Sequence, residues 1–245
     1  EIIDANGNIH EMICDPSNQP LATSFHGTEN NKVAGFKPLS EYRPPEDRSP
    51  AAAIANPDDA VQAAASTLRK DLFSWMGQIA NDNRAFMAWI AQGYLLPSGH
   101  VRASARRRLA QRISVLTPGE QALQDAIAAV HREPVHSVIL SADRYPDDLE
   151  GAQFQIIKAC VDGFGRPLQT QQRVDPGKAY AVDADGSLIV ENGQFKVVDA
   201  DPRWRISERV EHNNKGLPVR RYRAFFADTH TYVNDQSLRT LGNHD

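Results

Sequence analysis

The sequence has little of what most quickly assigns a function. Two cysteines, Cys14 and Cys160, stand far apart in 245 residues, which argues against a disulfide framework and leaves room for one bridge at most. The eight histidines are scattered, with no H-E-x-x-H and no paired-cysteine motif, so no metal site is expected. No apolar run approaches the ~20 residues a membrane span needs, and no signal peptide is visible. The stretch "GFGRP" lacks the glycine spacing of a dinucleotide loop, and no cofactor is expected. Neither sign of charge dominates: 27 Lys and Arg against 31 Asp and Glu give a net charge of −4. Nothing global therefore points to nucleic acid or to an acidic membrane.

What is present is a 41% hydrophobic content, enough for a core in one or two domains. The chain begins at Glu1 and stops at "LGNHD" after a strand-like segment, which reads as a piece of a longer polypeptide.

A short device recurs along it. In "ACVDGFGRPLQTQQRV", Asp162 precedes Gly165 by three residues, between an apolar, β-branched run (Gln153 to Val161) and an alternating one (Pro167 to Val174). In the latter, Leu168, Thr170, Gln172 and Val174 share one face and Gln169, Gln171 and Arg173 the other. An aspartate that caps a type I turn, followed by glycine at a positive-φ bulge position, makes a three-residue hairpin loop. The same form occurs at Asp4 to Gly7, Asp183 to Gly186 and Asn213 to Gly216, with a looser copy at Asp15 to Gln19 in which Asn18 takes the left-handed position. Several such turns between strand patterns predict a repetitive hairpin strip, each unit packed on its neighbours.

The middle of the chain is different. A connection with five prolines ("KPLSEYRPPEDRSPAAAIANPDDA") leads into a zone of helical periodicity. Asn56 is the expected N-cap and Pro57 the first helical residue, and Val61, Ala64, Leu68, Leu72, Trp75, Met76 and Ile79 recur at helical spacing. Further helices are expected around 83–92, 104–113 and 117–131, the last opened by a capping box at "TPGEQ". Phe73, Trp75 and Met76 are expected in the core. The expected organisation is a hairpin strip over 1–35, a proline-rich connection over 36–57, a helical insert over 58–132 and a second strip over 133–245. The fold class is mainly β, α+β overall.

Few features offer chemistry. The run Arg102, Arg106, Arg107, Arg108 and Arg112 on one helix could face phosphates as a nucleic-acid-binding module. Base-reading motifs and stacking aromatics are absent, so a solvated or salt-bridged helix face is preferred. Cys160 could be the nucleophile of a hydrolase if the fold brought it a histidine, but its apolar strand suggests a buried thiol. No catalytic site is assigned.

The phrases "DGFGRPLQTQQRVDPGKAY", "DPRWRISERVEHNNKGLPVR", "HGTENNKVAGFKPLSEYRPP", "SPAAAIANP", "DLFSW" and "REPVHSVILSADRYP" resemble the B component of bacterial insecticidal toxin complexes, the Tc toxins, over nearly the whole chain. The aspartate-glycine turns resemble those of the related Rhs and YD-repeat proteins. The resemblance implies a segment of a hollow β-shell, without enzymatic activity. In that family B and C together enclose the toxic end of C, and a propeller elsewhere in B docks the shell on A. The implied partners are thus the C component and the remainder of B, with A reached indirectly; nucleic acid and membrane are not among them. The complex would be assembled in the bacterial cytoplasm and released. The autoproteolytic aspartates of C have no counterpart motif here.

Overall fold

The computed structural model describes residues 1–240 except 17, 30–31, 82–83, 113–114, 148–150, 208 and 236. Three hairpin-linked strands open it, β1 (Ile2–Ile3), β2 (Ile9–Cys14) and β3 (Pro20–Glu29), with β4 (Lys32–Gly35) folded back on β3. Residues 36–49 run irregularly into α1 (Pro50–Ala55), capped by the Ser49 side chain, and α2 (Pro57–Val61). After β5 (Ser66–Asp71) and a 3₁₀ turn (Ser74–Met76) come α3 (Phe86–Ala91), α4 (Ala103–Ala110) and α5 (Pro118–Ala129). Then β6 (Val135–Ala142), β7 (Phe154–Val161), β8 (Pro167–Val174) and β9 (Gly177–Tyr180) follow. The last part holds β10 (Val190–Glu191), β11 (Gln194–Phe195), β12 (Val197–Ala200), β13 (Arg203–Ser207), β14 (Val210–His212), β15 (Pro218–Arg221), β16 (Phe225–Ala227) and α6 (Ser237–Thr240).

Twelve strands form one sheet in the order β1-β2-β3-β5-β6-β7-β8-β13-β16-β9-β12, with β4 paired to β3. The pairs are antiparallel except β16 with β9. The hairpins β10-β11 and β14-β15 lie outside it. The fold is mainly β.

One expected helix is replaced by a strand. From Asn56 to Ile79 the apolar spacing fits a helix, yet α2 stops after five residues, where Gln62 takes φ 54° and its N–H closes on the Asp58 carbonyl. Ser66–Asp71 then inserts between β3 and β6, where two neighbouring strands satisfy its backbone. Ladder bonds on both edges and burial of the Thr67 and Arg69 face outweigh a spacing of 3.6 here. The stretch 58–132 is therefore part helix, part central strand, and the excursion between the paired strands β5 and β6 covers residues 72–134. Phe73 and Trp75, expected in the core, are 45% and 47% exposed and Met76 is half-buried, while Leu72, at the same helical spacing, is 57% exposed. The excursion has its own core instead, built from Trp89, Leu95, Val101, Leu109, Leu123 and Ile127. The capping box on α5 is present, Thr117 and Glu120 bonding reciprocally.

The main core covers one face of the sheet. Val138 and Leu140 of β6, Ile156 of β7, Trp204 and Ile206 of β13, and Phe225 of β16 all point to it, with Ala53 and Val61 of α1 and α2 packed above. The alternate residues point away, and Ile139, Arg205 and Phe226 are exposed.

Candidate functional site

The repeated turns share one hydrogen-bond pattern. In each, the side-chain oxygen of the first residue accepts from the N–H groups two and four residues on. For Asp162 these are Phe164 at 2.8 Å and Arg166 at 2.9 Å. Asp4, Asp183 and Asn213 repeat it with Asn6 and Asn8, Asp185 and Ser187, and Lys215 and Leu217. The first carbonyl accepts from the glycine N–H, and Gly7, Gly165, Gly186 and Gly216 all have φ between 77° and 81°. Asp15 makes the same bond four residues on, to Gln19 at 2.9 Å, with Asn18 at φ 58° in the glycine's place. One side chain thus closes each loop, and positive φ is the conformation that glycine and asparagine tolerate.

The turns only deliver strands; a second arrangement ties the covered face together. Residues 228–235 cross it without regular secondary structure, and polar side chains of the sheet and of the segment before β6 hydrogen-bond their backbone. Lys158 on β7 donates to the His230 carbonyl at 3.1 Å, and Gln171 on β8 to that of Thr231 at 2.8 Å. Glu133 accepts from the Tyr232 N–H at 2.8 Å, and Gln169 from that of Val233 at 3.0 Å. Asn234 donates to the Gly186 carbonyl, and the Asp235 carboxylate accepts from Leu188. Lys158, Gln169 and Gln171 are at most 2% exposed, so the strap supplies the partners their burial demands. A sequence reading finds the two faces of β8 but not which is inward; two glutamines two apart, in a strand flanked by apolar ones, was the available signal.

The charges beneath the strap are tightly coupled. Burial raises the Glu133 carboxyl, but the Lys158 ammonium at 2.5 Å and the Tyr232 N–H outweigh it and hold Glu133 below its ordinary value. Burial, reinforced by Lys158, pulls the His136 imidazole down and His230 to about 4. The ladder does place His136 opposite Cys160. Burial nevertheless pushes that thiol up to about 12, the reverse of what a nucleophile needs. Cys14 and Cys160 are both free thiols.

The arginine helix is largely spent on holding the excursion together. Arg102 donates to the Leu95 carbonyl, Arg106 to that of Ile127, and Arg108 to Gln92 and Gly93 while stacking on Tyr94. Arg112 pairs with Glu120.

In "RWRISERVEH", Trp204 and Ile206 face the core and Arg205 faces out, as the alternation requires. The same alternation would put Arg209 on the face of Arg203, Arg205 and Ser207, and the structure does not. β13 ends at Ser207 and the separate β14-β15 hairpin begins at Val210, and Arg209 is 4% exposed, under the Tyr222 ring and bonded to the Asp235 carbonyl. The other sheet face is largely open among the described residues, apart from Phe36 and Tyr145 packed on Phe25. It carries small polar and scattered apolar groups such as Thr23, Ser66, Ile139 and Phe25, with a cavity of about 530 Å³ beside Phe25 and Tyr145.

Solved structures of toxin complexes share this fold. The TcdB2-TccC3 structure lacking the hypervariable C-terminal region superposes with a TM-score of 0.79 at 28% identity, covering 96% of this chain and 11% of that one. The Photorhabdus luminescens Tc holotoxin pore gives 0.77 at 28%, covering 97% and 11%. The TcdB2-TccC3-Cdc42 structure gives 0.76 at 29%, covering 94% and 10%. The chain is thus similar in fold to Tc toxin complexes over nearly all its length, and spans about a tenth of theirs. No protein-family model and no curated protein matches the sequence.

Proposed function

We propose that the chain is a structural, non-enzymatic segment of the shell of a bacterial toxin complex, within the B component. With the C component it encloses a cytotoxic passenger, and the A component delivers that passenger through contacts made elsewhere in B. The complex is assembled in the bacterial cytoplasm and then released. One observation carries the reading: a twelve-stranded sheet has its core on one face, is largely open on the other, and ends in β1 and β12 at its two edges. A curved wall needs one packed face for stability, one free face toward its contents or the medium, and edges that continue into further strands.

The test uses the full-length polypeptide carrying this chain, coexpressed with its C component and challenged with protease. Trp204 is 1% exposed and packed in the core cluster, so Trp204→Asp places an unpaired charge in the packed layer and is expected to expose the passenger to digestion. Arg205→Ser changes only the open face and should leave it protected. Full protection with Trp204→Asp overturns the reading.

A further inference from the structure

The ladder between β3 and β5 has only two pairs, Ala22 with Thr67 and Thr23 with Ser66. Beyond them lies Pro20, which has no N–H to give a ladder. There a cavity of about 170 Å³ opens between the β2-β3 turn, the loop around Tyr42 and β5. Arg69 lines it and is 3% exposed.

Its guanidinium makes no ion pair among the described residues. Nη2 donates to the Tyr42 hydroxyl at 2.6 Å and the Ala60 carbonyl at 3.2 Å. Nη1 reaches the carbonyls of Leu21 and Leu68 at 3.4 and 3.2 Å, and Nε has no partner. The Tyr42 hydroxyl gives its own proton to Ala60, at 2.9 Å. A second guanidinium, the exposed Arg48, lines the same cavity, its Nε making one 3.4 Å bond to the Pro45 carbonyl. Two other charged residues of the lining are engaged elsewhere. The Asp15 carboxylate closes its own turn on Gln19, and the Lys70 ammonium bonds the Gln19 side chain at 2.8 Å.

A buried cation without a counter-charge is costly, and a planar guanidinium with an unused N–H is suited to oxyanions. We infer that this cavity binds a small oxyanion, a carboxylate or a phosphate, between Arg69 and Arg48. The bound anion supplies the counter-charge that the Arg69 guanidinium lacks, where two strands of the sheet part company.

Calorimetric titration of the intact chain with sodium phosphate, at ionic strength held constant with chloride, is expected to give saturable one-site binding. Arg48→Gln, at an exposed position, should weaken it about tenfold without changing the melting temperature in chloride. Lys178→Gln, outside the cavity, should bind as the parent does. Sodium acetate distinguishes the sources: acetate that displaces phosphate marks a site for a carboxylate side chain, and phosphate held against acetate marks the free ion. Heats that never saturate with either anion, or equal affinity in Arg48→Gln and the parent, overturn the inference.

Discussion

Lys158 and Glu133 form a buried ion pair, Nζ to Oε2 at 2.5 Å, directly beneath the crossing strap, and each also bonds the strap's backbone. Removing one partner leaves the other charge buried and unpaired. Lys158→Met is therefore expected to cost about 3–5 kcal/mol in urea unfolding. Adding Glu133→Gln, which neutralises the stranded carboxylate and keeps an acceptor for Tyr232, should recover part of that loss. An unchanged midpoint in the single variant would show that the pair does not hold the strap.

The turns should separate by what surrounds them. Gly165 has open space where a Cβ would go, so Gly165→Ala meets only the positive-φ penalty, about 1 kcal/mol. At Gly186 a Cβ would land against the Tyr232 carbonyl of the strap. Gly186→Ala should therefore cost at least about 2 kcal/mol. Equal thermal shifts at the two positions would disconnect the third turn from the strap.

Acid should loosen this region. His230 has a folded pKa of about 4 against an ordinary 6.5. A base whose folded pKa is depressed stabilises fully above the unfolded value and loses that contribution as pH falls, here from 6.5 to 4. The loss is up to about 3 kcal/mol. His136 is shifted in the same direction, and Glu133, also lowered, adds its own loss as the unfolded carboxyl protonates. Melting temperature followed from pH 7 to pH 4 should fall, and His230→Gln should flatten the slope. Identical slopes would place the acid sensitivity elsewhere.

The excursion between β5 and β6 makes a contrasting case. Leu72→Ala and Trp75→Ala should shift stability by no more than about 1 kcal/mol because both side chains are largely exposed. Leu123→Ala, fully buried in the excursion's own core, should cost about 2–5 kcal/mol. Denaturant melts of the three variants decide it.

The turns were legible because their chemistry is local: an acceptor side chain and a glycine three residues on are enough to write the loop. The strands around Gln153–Val174 and the capped helix after Thr117 were legible for the same reason. Ser66–Asp71 was not, because its identity as a strand is fixed by β3 and β6, neither of which neighbours it in sequence. The strap was hidden more deeply. Its partners Lys158, Gln169 and Gln171 look like solvated groups until a distant segment covers them, and Arg209 looks exposed until the strand it extends is seen to end.

The Glu133 to Tyr232 bond spans 99 residues. During synthesis on the ribosome, β6, β7 and β8 emerge well before residues 228–235, so Lys158, Gln169 and Gln171 remain hydrated while their eventual partners are still being translated. The covered face cannot dry until residues 228–235 have been made and laid across it. Closure of this part of the sheet is therefore timed by chain elongation, and a polypeptide cut short before Thr229 would be left with a wet seam where its core should be.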